Sequence, residues 1–489
     1  MAAQDIQRNR ISRMHDGLAF VVAVLVPLTS LPLASNRATW WLLWTAVLAA
    51  IALIYVFRFG VVDLAYRVRA LDHKVLVGFT MVLPLWALVQ TVPVVGMLPT
   101  GWLLAAPEAG KMGGATLSVQ PQVAVSGVLR FAGYILLACL VLEVASRRDR
   151  VLRVAQIVYA GICLQAVWAV VALKVLDDFS FWGVKVAYLG SATGTFVNRN
   201  SLATFLGFGL VLGLGIVAER ARRNSIRATR RDTVIGRLGY GDLIVLIGMV
   251  FLMIGLIYTQ SRLGLVSSLC GAGVTLMLVR AQSGVAAGRV LVEMVVVGLA
   301  AIVAVALVAA GQGVAERMLF LGNEAVNRLA IYQQTLGMIE MRPWTGYGMD
   351  AFGAAFEAFR GPPLLAPVTY DLAHNSYLML WAEFGVVFGS VPILALIAVA
   401  ILLWRRMRSE DGFSGMAAAG LGALVLGAVH SLGDFSLEIP ANVYVLMCIL
   451  GLGLGHQSQR RGKAKRTFEP AERASDAPAP LPIKRRSGT

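Results

Sequence analysis

Charge is what this sequence has least of. Only 14% of its 489 residues are Asp, Glu, Lys or Arg, against roughly 25% in soluble domains. That deficit, with 58% hydrophobic residues and a mean hydropathy of +0.73, excludes a string of soluble domains and points to a polytopic membrane protein. Cysteine is scarce as well. Cys139, Cys163, Cys270 and Cys448 all fall in apolar runs with no CxxC or Cys/His spacing, which excludes a disulfide framework and a zinc site and leaves them as small buried hydrophobes. No DxD pair stands in a polar segment to hold a divalent metal, and there is no Walker A or HExxH motif. A reaction run by this chain is therefore expected to use a pre-activated substrate, no cofactor, and arginines to neutralise a leaving group.

What is present is a series of apolar runs long enough to cross a bilayer, which takes about 20 residues. Twelve are expected, near 17–35, 39–57, 75–96, 124–145, 154–174, 200–218, 243–261, 263–279, 290–310, 376–404, 414–433 and 441–457. The first has no clean small-residue cleavage site, so a retained helix is expected rather than a signal peptide. An even count puts both termini on one side. With that side cytoplasmic, 32 of the 43 Lys and Arg fall in inside segments, as the positive-inside rule requires. The formal charge of +16 is thus a topology signal, and no nucleic-acid partner is expected. The chain divides into a cytoplasmic segment 1–16, a transmembrane domain 17–457, and a basic tail 458–489 whose Pro, Ala and Ser content reads as disordered. Segment 219–242 holds seven arginines and reads as a solvated loop able to touch anionic lipid.

Three outer segments are long: 97–123, 175–199 and 311–375. The last contains Arg317, Arg328, Arg342 and Arg360 and leads to His374-Asn375 at the start of the next apolar run. Polar groups at membrane depth are functional suspects. Gln260-Ser261-Arg262 is a tight turn between two spans, where Arg262 either grips a ligand or snorkels as a helix anchor. Around Arg328, the apolar residues 326, 329, 330 and 336 fit an amphipathic helix on the membrane surface. Pro343-Trp344-Thr345-Gly346-Tyr347-Gly348 must be a loop, and its backbone N–H groups could approach an anion. Of the five histidines (15, 73, 374, 430 and 456), His374 alone sits at the outer surface beside the arginine-bearing insert, where an imidazole can take a proton from a hydroxyl near neutral pH. His430 and Asp434 are i,i+4 and can pair as a structural polar lock. Arg130 lies inside its span as an anion contact or an interhelical partner.

The segments GTFVNRNSLATFL (194–206), TQSRLG (259–264), NRLAIYQQTLGMIEMRPWTGYGMDAFG (327–353), AHNSYLMLWAEFGVVFG (373–389) and HSLGDFSLEIPAN (430–442) resemble, in order and spacing, the bacterial O-antigen ligase and polysaccharide polymerase family (Wzy/WaaL type). The likeness covers about 185–455. It implies an inner-membrane glycosyltransferase of the GT-C class with a periplasmic active site. Such enzymes take a glycan from undecaprenyl diphosphate without a metal. By this resemblance Arg262, Arg328 and His374 are catalytic, and Arg199 and Asn200 line the same pocket; Tyr332, Asn375 and Arg130 are expected to contact substrate as well. The function it implies is ligation of glycan to the lipid A core, with inversion. The close alternative is polymerisation of O-antigen, capsule or exopolysaccharide repeats. A lipid-linked oligosaccharide transporter is the reading from another class, although the polar groups gather at the rim and not at the midplane. The arginine loop and basic tail depart from a minimal member; they leave the chemistry untouched and bear on partners such as polysaccharide-assembly proteins.

Overall fold

The computed structural model describes residues 2–62, 69–93, 116–225, 239–282, 314–364, 369–410 and 412–455. Among these there is no β-strand. Thirteen helices follow in order: α1 (Ala2–Leu28), α2 (Ala38–Val62), α3 (Lys74–Gln90), α4 (Pro121–Val144), α5 (Arg148–Lys174), α6 (Arg199–Ser225), α7 (Tyr240–Tyr258), α8 (Arg262–Gln282), α9 (Val314–Met341), α10 (Phe352–Phe356), α11 (Ser376–Arg408), α12 (Ser414–His430) and α13 (Pro440–Leu454). Eight of them, α1, α2, α4 to α8 and α11, are long and apolar enough to cross a membrane, and α3, α12 and α13 are shorter apolar helices. The expected span at 290–310, most of the outer segment 97–123, much of the arginine loop, His456 and the tail lie outside the described residues.

The bundle is built around α6, in which every residue from Ser201 to Gly213 is buried. Its neighbours are α5, α7, α8 and α12. Lipid offers no hydrophobic gain for joining apolar helices, so close backbone approach through small residues does the work. A methyl group at Gly207 would lie 2.1 Å from Ser268 Oγ of α8, and one at Gly422 of α12 would lie 2.5 Å from the Gly271 carbonyl. Any larger side chain there would separate the helices.

Three ion pairs tie the helices together at one end. Glu219, at the foot of α6, takes Arg148 at 2.8 Å and accepts the Gly415 N–H at 2.9 Å. Arg220 meets Asp242 at 3.3 Å, and Arg150 meets Asp16 at 3.0 Å. These contacts bring the start of α5, α7 and α12 and the end of α6 into one layer. The opposite end gathers the first residues of α4, α6, α8, α11 and α13.

Helix α11 has 33 residues, about 50 Å at 1.5 Å per residue, far more than a hydrocarbon core of about 30 Å. It is broken at Gly385, whose φ is +75°. The loop Pro343–Gly348 fills the break. Tyr347 N–H donates to the Ala382 carbonyl (3.0 Å), Gly348 N–H to Glu383 (2.9 Å), and Val386 N–H to Pro343 (2.7 Å). Gln90, fully buried at the end of α3, donates through Nε2 to the Thr345 and Glu383 carbonyls at 2.7 and 2.8 Å. Irregular backbone survives at such depth only when its polar groups are met in this way. For Gly346, Tyr347 and Gly348 the expectation that this glycine loop cradles an anion therefore fails. Gly346 N–H is also taken, by the Arg342 carbonyl at 3.1 Å, so all three N–H groups are spent on protein.

Candidate active site

The site grows from a five-residue turn, Ser431–Phe435, that links α12 to the short 3-10 helix at Ser436–Glu438. Its carbonyls face the insert and the head of α11. The Ser431 carbonyl accepts Ser376 N–H at 3.1 Å, Leu432 accepts Asn375 Nδ2 at 3.0 Å, and Gly433 accepts Arg328 Nη1 at 3.1 Å. A methyl group at Gly433 would lie 2.9 Å from Leu263 Cδ2 and 3.9 Å from the Tyr332 hydroxyl. The ring of Phe435 stands edge-on to that of His374, centroids 4.8 Å apart. One turn thus receives the guanidinium of Arg328, packs against the imidazole of His374, and lies beside Leu263, the residue after Arg262.

His374 and Arg262 each stand at a helix terminus, whereas Arg328 lies in the middle of α9. Asn375 caps α11, accepting Tyr377 and Leu378 N–H at 3.0 and 3.1 Å. This is the interaction that makes Asn favourable at an N-cap. The preceding His374 takes φ of +53°, a left-handed turn uncommon for a non-glycine residue. Tyr332, four residues along α9 from Arg328, donates to the His374 carbonyl at 2.9 Å. Burial pushes the Tyr332 phenol above its ordinary pKa, with nearby Arg328 opposing and Asp434 adding, so it stays protonated as this donor. Arg262 is the first residue of α8 and is exposed.

Beneath the turn lies a buried lock. Asp434 and His430, each about 1% exposed, approach within 3.6 Å. Asp434 also accepts Asn200 Nδ2 at 3.2 Å and the Ser436 hydroxyl. Thr204 Oγ1 lies 3.2 Å from His430 Nδ1. Asn442 Nδ2 donates to the Ser201 and Ser436 carbonyls at 3.1 and 2.8 Å. Asn200 is therefore committed to the lock beneath the turn. Arg199 is spent nearby, with Nη1 on Ser191 Oγ at 3.3 Å and its guanidinium 5.4 Å from the Tyr188 ring centre. Of the other insert arginines, Arg342 donates to the Leu117 carbonyl at 3.0 Å and Arg360 pairs with Glu357 at 3.1 Å.

Arg130 belongs to a separate cluster. It pairs with Asp350 at 2.6 Å and lies 5.0 Å from the Trp41 ring centre. Together with Glu383 and Glu438 it lines a cavity of about 660 Å³. Sequence reading missed these carboxylates and the Thr204, Ser436 and Gln90 contacts. Glu383 had a signal, being a carboxylate inside the apolar run of α11. The others are tertiary partners with no local pattern.

Fold and site together define a polytopic membrane protein in which Arg328 and His374 meet at a turn at one end of the bundle, with Arg262 at the head of α8. Residues 247–393 match the Wzy_C family model, described as O-Antigen ligase, and this supports the O-antigen ligase and polymerase family for the chain. The matched region contains Arg262, Arg328 and His374. No curated protein matches the chain.

Proposed function

We propose that this protein transfers a glycan from undecaprenyl diphosphate to an acceptor hydroxyl at the periplasmic face, as a ligase with lipid A core as acceptor. The observation that carries this reading is the Ser431–Phe435 turn, where Arg328, His374 and the neighbour of Arg262 meet. Guanidinium groups bind diphosphate oxygens bidentately and stabilise them as charge develops. The N-termini of α6, α8, α11 and α13 open at this end, and their dipoles add positive potential.

In the reaction, His374 takes the proton of the acceptor hydroxyl. The hydroxyl oxygen bonds to the anomeric carbon from the face opposite the diphosphate. The C–O bond to the diphosphate breaks, its electron pair leaves with the diphosphate, and Arg262 and Arg328 hold the product. Configuration at carbon inverts. No step calls for a metal or other cofactor.

Purified protein in detergent, given undecaprenyl-diphosphate-linked glycan and core acceptor, is expected to form ligated product with EDTA present. Absence of any transfer to a sugar acceptor sinks the reading. Deletion in cells separates the two acceptors. Stranded lipid-linked polymer supports ligation; accumulation of single repeats replaces it with polymerisation.

A further inference from the structure

The cavity beside the site has a second end. At the site end it is lined by Arg130, Glu383 and Glu438; at the far end by Ala70, His73 and Trp404. Between them the walls are almost wholly apolar, with Leu83, Leu142, Leu396 and Ala400 among them. Helices α3 and α11 form one side and run antiparallel. Trp86 stacks on Phe388 with ring centres 3.9 Å apart and donates to the Phe384 carbonyl at 3.1 Å. Following both helices away from that level brings Lys74, the first residue of α3, towards Arg405, Arg406 and Arg408, in the last turn of α11.

This rim is basic. Lys74, Arg405 and Arg408 are exposed, and the Arg408 guanidinium lies 5.3 Å from the Trp404 ring centre. Asp72 and Glu410 are the acidic residues nearest in sequence. Burial, and then nearby Arg406, hold the His73 imidazole below its ordinary pKa, so its face towards the cavity is neutral. An apolar channel of this volume is within the range of small-molecule sites. Basic pockets between transmembrane helices select anionic lipid headgroups.

We propose that the far end of this cavity is a binding site for an acidic phospholipid of the adjacent leaflet. One acyl chain lies in the channel between α3 and α11, and the phosphate sits among Lys74, Arg405 and Arg406. A zwitterionic lipid gains little from such a rim. The diphosphate of a glycan donor belongs at the other end, so this is a second ligand and does not depend on the transfer reaction.

The test uses the full chain in nanodiscs of phosphatidylcholine with or without phosphatidylglycerol, followed by delipidation and quantification of retained lipid by native mass spectrometry. Phosphatidylglycerol is expected to stay bound and to raise the melting temperature. Substituting Lys74→Gln, Arg405→Gln and Arg406→Gln should weaken retention roughly fivefold per charge. Removing two charges elsewhere at this end, as in Arg147→Gln with Arg153→Gln, should leave it unchanged. Ala400→Trp, which fills the channel without touching charge, should also release the lipid and covers the case in which the triple variant fails to fold. Equal loss in the Arg147/Arg153 control overturns the proposal, as does retention undisturbed by Ala400→Trp. Recovery of only a zwitterionic or polyprenyl lipid does the same.

Discussion

Around the Ser431–Phe435 turn Arg328 gives its guanidinium to a backbone carbonyl, whereas across the bundle Arg130 gives its own to Asp350. Among the described residues, the first arrangement gives that positive charge no direct ion pair. The second buries one cation among three carboxyl groups, Asp350, Glu383 and Glu438. A buried charge needs a partner, and where the protein withholds one a ligand can supply it. The two clusters hold the same kinds of group at the same end of the bundle. On the proposed reading, this charge balance makes the first an anion site and the second a structural one.

The strongest way to break this contrast is to remove both cations of the first cluster. Arg262→Ala with Arg328→Ala is expected to lower the transfer rate by roughly 10⁴-fold, since each oxyanion-type donor contributes about 10²-fold or more. Thermal stability should change little. Glycan-transfer assays on protein of equal melting temperature check this, and near-normal turnover in the double variant removes the diphosphate grip. His374→Ala should cost about 10³-fold, the usual scale for a general base. Its residual rate should lose the dependence on imidazole ionisation, read from the pH profile.

The reverse experiment acts on the second cluster. Arg130→Ala leaves Asp350 and its acidic neighbours without their cation and should destabilise the fold by about 3 kcal/mol, measured by thermal melting. Turnover per folded molecule should survive. If Arg130→Ala instead abolishes transfer at unchanged stability, the contrast between the clusters is wrong and Arg130 contacts substrate. The smallest effect concerns Glu438. Burial pushes its carboxyl up to about 7 from an ordinary 4.5, with Arg130 opposing and Asp350 adding. The unfolded carboxyl ionises first, so stability falls as pH rises from about 4.5 to about 7. In Glu438→Gln that slope should flatten; an unchanged slope assigns it to other groups.

Much of this was legible from sequence because lipid imposes simple rules. Uncharged runs marked eleven of the helices described here, and the short Thr259–Ser261 turn put Arg262 at a helix head. His430 and Asp434 do approach, but not on one helix face as their i,i+4 spacing suggests: α12 ends at His430, and Asp434 stands on the turn that follows. What sequence could not give was the partner across the bundle. Asn200 looked like a pocket residue, yet its amide goes to Asp434, 234 residues away. Arg130 stood open between anion contact and interhelical partner until Asp350 was seen beside it. Glycines in the 343–348 loop suggested an anion nest, whereas they are small because the broken backbone of α11 passes against them. A methyl group at Gly346 would stand 2.3 Å from the Glu383 carbonyl oxygen.

The interruption at Gly385 has a mechanical meaning. It divides a long rod into a short strut that bears the imidazole and a lower shaft, 386–408, that meets the lipid. The strut is clamped by the inserted loop and by Gln90, so its tilt is fixed by protein alone. When the bilayer thickens or thins, the shaft can lean to match while the strut keeps its aim, and the geometry at the rim is insulated from the composition of the membrane around it.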